Sequence, residues 1–310
     1  MNCLFNYIIT IHNKAELIEK VLLSVIRVAG SNSKIYCVLD GCTDDSENIV
    51  NKVIGQYPDF NIVKLFAPDV HELKAINLAL QNSVQHGPGY NIILQDDVLL
   101  EDDKLEAHIT KLYTTFPNLG IVSFRHGGNF SRSLLKKKKS IFPIKNYIES
   151  VYGHNPLPLT SLNEGFFTFR EIAIKSPICI PFTLVTTIGI PDERYAPWND
   201  LAYCFNATIA GFNNGVFAVK FRSDVSWGTT RKKEQKLPVK SVDDKNINLL
   251  KEQYSGEIAS FKRQKPPDNK LYKIFEARTR TRYSWADYFH GFKSNVKLYC
   301  RHLIQTIFTA

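Results

Sequence analysis

The spacing of apolar residues along the first hundred positions predicts strands and helices in alternation. Short β-branched and aromatic runs predict strands, at 5–11, 34–39, 61–66 and 92–94. Between them, apolar residues recur every three or four positions, which predicts helices over about 17–26, 49–57 and 71–84. Strands that alternate with helices at this spacing require right-handed crossovers, and these give a parallel sheet covered by helices.

The strand at 92–94 ends in two adjacent acids, Asp96 and Asp97. Ligands of open α/β sheets bind beyond the carboxyl ends of the strands, so both carboxylates are expected at the rim of a ligand crevice. Two neighbouring carboxylates repel each other unless a cation or hydrogen-bond donors lie between them. The pair therefore indicates either a divalent ion that bridges to a phosphate or a solvated acidic turn.

The second half of the chain has a less regular pattern. Its apolar residues predict a helix over about 103–113, strands at 120–124, 166–169 and 216–221, and a helix over 200–210. Residues 127–160 contain four consecutive lysines and three prolines, which break the pattern. This stretch is typical either of a lid or acceptor loop or of a plain surface insertion.

Composition favours a globular intracellular protein. Hydrophobic residues make up 44% of the 310 positions, enough for a large core, and no apolar run reaches the roughly 20 residues that span a bilayer. The first residues lack a basic leader and a cleavage site, so we predict no signal peptide and a cytoplasmic location. The six cysteines form no CxxC pair, which predicts free thiols and no zinc site.

The net charge of +9 is concentrated at the end of the chain. Residues 260–310 contain eleven Lys or Arg and three Asp or Glu, so they carry eight of the nine charges. From Trp285 onward, apolar and basic residues each recur at helical spacing, which predicts a basic amphipathic helix. Such a helix fits an anionic membrane surface, contacted through residues 270–310 at the inner face of the membrane. It equally fits packing on the protein's own body or on a second subunit, as in a homodimer.

Five motifs in order resemble the family-2 glycosyltransferases with the GT-A fold. They are the strand end Ile8–Asn13, the turn Val38–Ser46, the helix segment Ala75–Ala79, the strand end Leu94–Val98, and the block from Asp192 to Gly211. The resemblance covers roughly residues 4–230. It implies a mostly parallel GT-A-like (Rossmann-like) sheet flanked by helices over 1–230, with a nucleotide-binding half (1–100) and an acceptor half (101–230). Residues 231–310 would then form a basic, aromatic helical extension.

The resemblance also implies an activity, inverting transfer of a sugar from a nucleoside diphosphate donor, with a UDP-sugar expected. The acceptor would be a hydroxyl of a glycan or of a lipid-linked molecule, as in polysaccharide biosynthesis. Asp40 is expected to accept a hydrogen bond from a uracil N–H, although an acid there also suits a helix cap. The other expected nucleotide contacts are Thr10, His12, Asn13, Asn77, Gln95 and Asp96. Asn13 is in addition predicted to cap the first helix, with Glu16 as its reciprocal acid.

By the same resemblance, Asp97 would hold Mn²⁺ or Mg²⁺, hard ions that prefer oxygen ligands. Such an ion stabilises the departing diphosphate as a Lewis acid. Gln95 stands where the family has the first acid of its metal segment, which puts metal dependence in doubt. No histidine lies near Trp227, so a third metal ligand from the protein is not expected there.

Asp200 is the candidate general base, because an attacking hydroxyl must lose its proton to a carboxylate within hydrogen-bond reach. The alternative for Asp200 is an ordinary helix cap. Asn199 and Ala202 stand where the family often has further acids. On the acceptor side, Trp198 and Trp227 could stack on sugar rings or could belong to the core.

Two other classes of function compete with the enzyme. The departures at Gln95, Asn199 and Ala202 fit a non-catalytic relative that binds a glycan or a nucleotide. The basic, aromatic tail fits a protein that binds single-stranded nucleic acid, but it carries no module signature and leaves the α/β body unexplained. A dinucleotide-dependent oxidoreductase is disfavoured, since no GxGxxG follows the first strand.

Overall fold

A computed structural model describes residues 4–83, 88–130, 164–174, 176–196, 200–222, 239–261, 263–265, 267 and 270–276. The strands are β1 Leu4–Ile11, β2 Lys34–Asp40, β3 Asn61–Ala67, β4 Gly89–Gln95, β5 Leu99–Leu100, β6 Leu119–Ser123, β7 His126–Gly128, β8 Phe166–Phe169, β9 Ile172–Ile174, β10 Ile178–Pro181, β11 Asn213–Phe217, β12 Phe221–Arg222 and β13 Tyr272–Lys273. The helices are α1 Ile18–Val28, α2 Ser46–Gln56, α3 His71–Ser83, α4 Leu105–Thr115, α5 Phe182–Ile188, α6 Asp200–Ile209, α7 Val239–Gln253 and α8 Ser255–Phe261, with a 3₁₀ turn at Glu193–Tyr195.

Nine of the described strands form one sheet, in the order β13-β8-β11-β6-β10-β4-β1-β2-β3. Strands β4, β1, β2 and β3 are parallel, and β11 is parallel to β6. Because β10 runs antiparallel to both β4 and β6, all six of those strands point the same way. The prediction of a mostly parallel α/β sheet is confirmed. The strand order reverses between β1 and β4, the place where open sheets of this kind hold ligands.

The two faces of the sheet are covered by different helices, as the side-chain alternation of a strand requires. From β1 and β4, Ile9 and Leu94 pack toward α1, α2 and α4, whereas Ile8 and Ile93 pack toward α3, α5 and α6. All four side chains are at most 2% exposed. Central strands buried on both faces must be apolar throughout, which explains the continuous apolar runs that predicted them.

Part of the predicted extension at 231–310 packs on this body. Helices α7 and α8 place Leu250, Tyr254 and Phe261 against Phe205 of α6. Strand β13 pairs with β8 and adds the last strand to the sheet. The described residues of the extension therefore share a core with residues from the 101–230 part of the chain.

Two local predictions are wrong. Helix α1 begins at Ile18 after Leu17, so Asn13 does not cap it. Asn13 adopts a left-handed backbone, φ 51°, and turns its side chain to the neighbouring loop. The strand expected over 216–221 is divided between β11 and β12, because Ala218 bonds to Phe166 and Gly165 while β12 pairs with β5.

Several predictions fall outside the described residues. Most of the irregular stretch at 127–160 and the amphipathic helix after Trp285 belong to 131–163 and 277–310. Across the portion of the chain that is described, none of the helices has the length and apolar character needed to cross a membrane.

The side chain of Asn214 ties β11 to β6, to α6 and to the turn between β8 and β9, and we expect its loss to destabilise the fold. Its Oδ1 accepts the Ile121 N–H at 2.9 Å, and its Nδ2 donates to the carbonyls of Glu171 and Cys204 at 3.0 Å each. Asn214 is 2% exposed, so Asn214→Ala leaves buried polar groups without partners. The free energy of unfolding in urea should fall by roughly 2 to 4 kcal/mol.

The neighbouring Asn213 is exposed and provides the matched control. Asn213→Ala should change the unfolding free energy by no more than about 0.5 kcal/mol. Equal losses from the two variants would contradict the role given to the Asn214 amide.

Candidate active site

The loops that follow β1, β2, β3 and β4 meet at the carboxyl edge of the parallel strands. The first two loops are joined through Asn13, whose Oδ1 accepts the N–H groups of Thr43 and Asp44 at 2.7 and 3.2 Å. In return, Asp44 Oδ2 accepts the Ala15 N–H at 2.9 Å. These reciprocal bonds hold the loops in register, and they give Asn13 a structural use that its sequence position did not reveal.

Asp40, the last residue of β2, organises the turn that leads into α3. Its two carboxylate oxygens accept the N–H groups of Val70 and His71, at 2.6 and 3.0 Å. Asp69 and His71 adopt left-handed backbones, φ 53° and 68°, which cost energy for residues other than glycine. The buried Asp40 carboxylate thus holds a strained turn at the beginning of α3.

Gly41 lets the β2 loop pass close to that turn. Its φ of +61° suits glycine, and its N–H donates to the Ala67 carbonyl at 2.8 Å. A Cβ at this position would lie 2.6 Å from the Cβ of Asp69. A side chain is therefore excluded at position 41.

Asp96 connects β4 to β1 across the point where the strand order reverses. Its Oδ2 accepts the His12 N–H at 2.9 Å. Burial raises the pKa of Asp96 to about 7, against the opposing effects of that hydrogen bond and of the Lys14 charge. Thr10 lies beside this contact on β1, paired in register with Gln95 and Val38.

Asp97 is more deeply buried than its position in a turn would suggest. It is 6% exposed, burial raises its pKa, and its Oδ1 has no hydrogen-bond partner among the described residues. The side-chain amide of the neighbouring Gln95 donates to Glu72 Oε1 at 3.0 Å. A buried carboxylate oxygen without a donor is a position at which a cation is favourable.

Three charged residues that the sequence reasoning missed lie close enough to influence this acid pair. Glu72 raises the pKa values of Asp96 and Asp97, and Lys14, only 4% exposed, lowers both. Arg125 also lowers the pKa of Asp97. Lys14 and Glu72 belong to segments that follow the carboxyl ends of β1 and β3, so the rule that selected Asp96 could have found them.

His12 takes part in a second group of potential ligand atoms. Its Nδ1 lies 2.6 Å from the Asp40 carbonyl oxygen and 3.9 Å from Asp69 Oδ1. His12, Asp40 and Asp69 each offer one atom, and these atoms lie within 4.8 Å of one another, which makes this group a candidate position for a divalent cation.

Asn77 is fully buried on α3, and it faces the acceptor half. Its Nδ2 donates to the Pro191 carbonyl at 2.8 Å and to Glu193 Oε1 at 3.2 Å. It therefore joins the two halves of the site, a contact that its place in a helix motif did not indicate.

Asp200 is the first residue of α6. Helix α6 packs on β6 and β11, and a tight turn at Gly211 leads from its end into the beginning of β11. β11 points the same way as β4, and α6 ends near the beginning of β11. The helix therefore runs in the direction opposite to these strands, and its first residue lies toward their carboxyl ends. The topology thus brings Asp200 to the edge where Asp40 and Asp97 lie. Trp198, Asn199 and Trp227 are outside the described residues.

Residues 7–180 match the sequence model of glycosyl transferase family 2, which is more than half of the chain. A comparison with curated proteins gives no match.

Solved structures resemble the chain at low sequence identity. TarS of S. aureus has a TM-score of 0.50 at 12% identity over 72% of this chain and 37% of its own. The mannosyltransferase PcManGT of Pyrobaculum calidifontis, solved with GDP-Man and Mn²⁺, has a TM-score of 0.48 at 16% identity over 70% of this chain and 57% of its own. The chain thus spans less than two thirds of either protein. The family match and the TarS likeness confirm the predicted GT-A-like fold.

The pKa of Asp96 predicts a pH-dependent contribution to stability in metal-free buffer. An acid whose pKa rises on folding favours the folded state below its unfolded pKa, and this stabilisation is lost as pH rises through the folded value. The unfolding free energy of the wild type minus that of Asp96→Asn should therefore fall between pH 4 and pH 7, by roughly 1 to 4 kcal/mol. Urea unfolding with EDTA measures it, and a difference that stays constant across that range would contradict the burial of a titrating Asp96.

Proposed function

Because the chain belongs to glycosyl transferase family 2, we propose that it transfers a sugar from a nucleoside diphosphate donor, a UDP-sugar, to an acceptor hydroxyl with inversion. The acceptor is a hydroxyl of a glycan or of a lipid-linked molecule. The observation that carries this proposal is the gathering of Asp40, Asp96 and Asp97 at one edge of the sheet, toward which α6 also begins. A cytoplasmic location, membrane contact through 270–310 and dimerisation remain predictions.

The nucleotide would bind over the carboxyl ends of β1 and β2. Asp40 accepts the N–H groups of Val70 and His71 at the end of β2, and a carboxylate oxygen can accept more than one hydrogen bond, as contact with a uracil N–H would require. Thr10, His12 and Asp96 border the same crevice. Asn13 would act by fixing its loop, Asn77 by joining the two halves, and Gln95 by holding Glu72 in place.

The buried Asp97 oxygen fits a hard divalent ion, Mn²⁺ or Mg²⁺, because it is a carboxylate oxygen without a hydrogen-bond donor among the described residues. When bound, such an ion supplies Lewis-acid stabilisation to the departing diphosphate. Lys14 and Arg125 act on Asp97 as positive charges, and they would also stabilise the negative charge of the departing diphosphate.

Asp200 would accept the proton of the acceptor hydroxyl as that hydroxyl attacks the anomeric carbon. A carboxylate in the first turn of a helix is favoured in its charged form by the helix dipole, and a base must be charged to accept a proton. The departure of the nucleoside diphosphate and the attack then take place from opposite sides of the sugar, which inverts its configuration.

Nucleotide binding can be measured without knowledge of the acceptor. UDP at 100 times its Kd should stabilise the protein by about 2.7 kcal/mol, seen as a rise in Tm. Mn²⁺ added with UDP should raise Tm further in the wild type and in Asp69→Asn, but not in Asp97→Asn. A further rise in Asp97→Asn but not in Asp69→Asn would instead assign the ion to the group of His12, Asp40 and Asp69. If no nucleoside diphosphate shifts Tm, the proposed enzyme is refuted.

Catalysis is tested at Asp200. UDP release from a UDP-sugar that raises Tm should fall about 10²- to 10⁴-fold in Asp200→Asn, because the base is removed, while the Kd for UDP stays unchanged. Asp59→Asn, an exposed acid in the turn before β3, is the control and should keep full turnover. Nucleotide binding by the wild type with no turnover of any UDP-sugar would favour the non-catalytic relative, for which the neutral Gln95 is the supporting observation.

A further inference from the structure

The residues just before α6 form a short segment, 191–196, that lies against two buried asparagines. This acceptor-side segment contains the 3₁₀ turn Glu193–Tyr195, in which the Asp192 side chain accepts the Arg194 N–H. Its backbone hydrogen bonds in that turn are local, from Tyr195 to Asp192 and from Ala196 to Glu193. Local bonds shape a segment but do not fix its place in the protein.

Asn77 fixes the beginning of the acceptor-side segment. Its Nδ2 donates to the Pro191 carbonyl and to Glu193 Oε1, and its side chain has no exposure to solvent. Its Oδ1 has no partner among the described residues, so the amide is oriented by the bonds of its donor group alone. A buried amide that satisfies only its donors is costly, which is a common sign of a functional constraint.

Asn246 of α7 fixes the end of the segment. Its Nδ2 donates to the Tyr195 carbonyl at 2.9 Å, and the residue is 5% exposed. From the same helix, Gln253 accepts a hydrogen bond from the Tyr195 hydroxyl at 3.0 Å. The segment is thus held from one side by α3 and from the other by α7.

Helix α3 also carries the turn held by Asp40. His71, whose N–H donates to Asp40, lies six residues before Asn77, about 9 Å along the helix. One rigid helix therefore sets the distance between the proposed nucleotide crevice and the acceptor-side segment.

We propose that Asn77 and Asn246 are positioning residues of the transfer reaction. They fix the acceptor-side segment and, through the core that its Tyr195 shares with Leu201 and Ala202 of α6, the carboxylate of Asp200. The inference rests on the proposed role of Asp200 as general base. Neither amide touches the substrate. Each holds a backbone carbonyl whose displacement would move the beginning of α6 relative to the donor sugar.

Hydrogen exchange tests the positioning without any substrate. Asn77→Ala and Asn246→Ala should each raise the exchange rates of the Tyr195 and Ala196 amides at least about 10-fold. Asn82→Ala on α3 and Asn248→Ala on α7 are exposed matched controls and should leave those rates unchanged. Unchanged rates in both buried variants would overturn the inference, and Asn246→Ala answers the question if Asn77→Ala fails to fold.

Turnover separates positioning from a merely structural role. The rate of UDP release from the UDP-sugar that raises Tm should fall about 10- to 100-fold in Asn77→Ala and Asn246→Ala, with the Kd for UDP within 2-fold of wild type. In an Asp200→Asn background the same substitutions should cause no further loss, because residues that act through the base are silent once it is gone.

A further loss of the same size in the Asp200→Asn background would show that the two amides act independently of the base and would overturn the inference. If UDP release slows in Asp200→Asn but in neither Asn77→Ala nor Asn246→Ala, the inference is overturned and the proposed function remains intact. Full turnover by Asp200→Asn would refute the base and the inference together.

Discussion

The arrangement of the site depends on side chains that satisfy the backbone of the loops at the carboxyl edge of the sheet. Loops packed against each other bury N–H groups, and an unpaired buried N–H costs as much as a lost hydrogen bond. Asp40 and Asp96 each accept such a group from a loop other than their own, and Asn13 does the same for the exposed N–H groups of the β2 loop. Two of the residues that hold the loops together, Asp40 and Asp96, are therefore also residues proposed to bind the nucleotide.

This constraint has an electrostatic consequence. The acids at the end of β4 are withdrawn from water, which raises the pKa values of Asp96 and Asp97, and the charge of Lys14 opposes the rise. A neutral residue at position 95 reduces the negative charge that such a site must tolerate. The Gln95 amide donates to Glu72 in the first turn of α3. Glu72 thus supplies a negative charge next to the position where the resemblance leads one to expect an acid.

The sequence predicted the sheet well because each buried strand must be apolar on both faces, and that requirement is visible in runs such as Ile92–Leu94. It also predicted that Asp96 and Asp97 follow the end of β4, since the apolar run stops there. It could not predict the partners of Asn13 or Asn77, because each partner is far away in the chain and an amide has no preferred one. The expected strand at 216–221 failed for a similar reason, as β5 takes over the pairing of Phe221 and Arg222.

The position of α7 extends the same argument to the acceptor half. Asn246 and Gln253 contact Tyr195, and Tyr254 packs on Phe205 of α6. The acceptor-side segment and helix α6 therefore both pack on residues beyond 238. The motif resemblance did not include those residues. A chain cut after residue 230 would keep the strand ends that gather Asp40, Asp96 and Asp97, but it would lose the support on which the acceptor-side segment lies. The strand ends that hold Asp40 and Asp96 and the segment 191–196 thus rest on different parts of the chain, joined through α3.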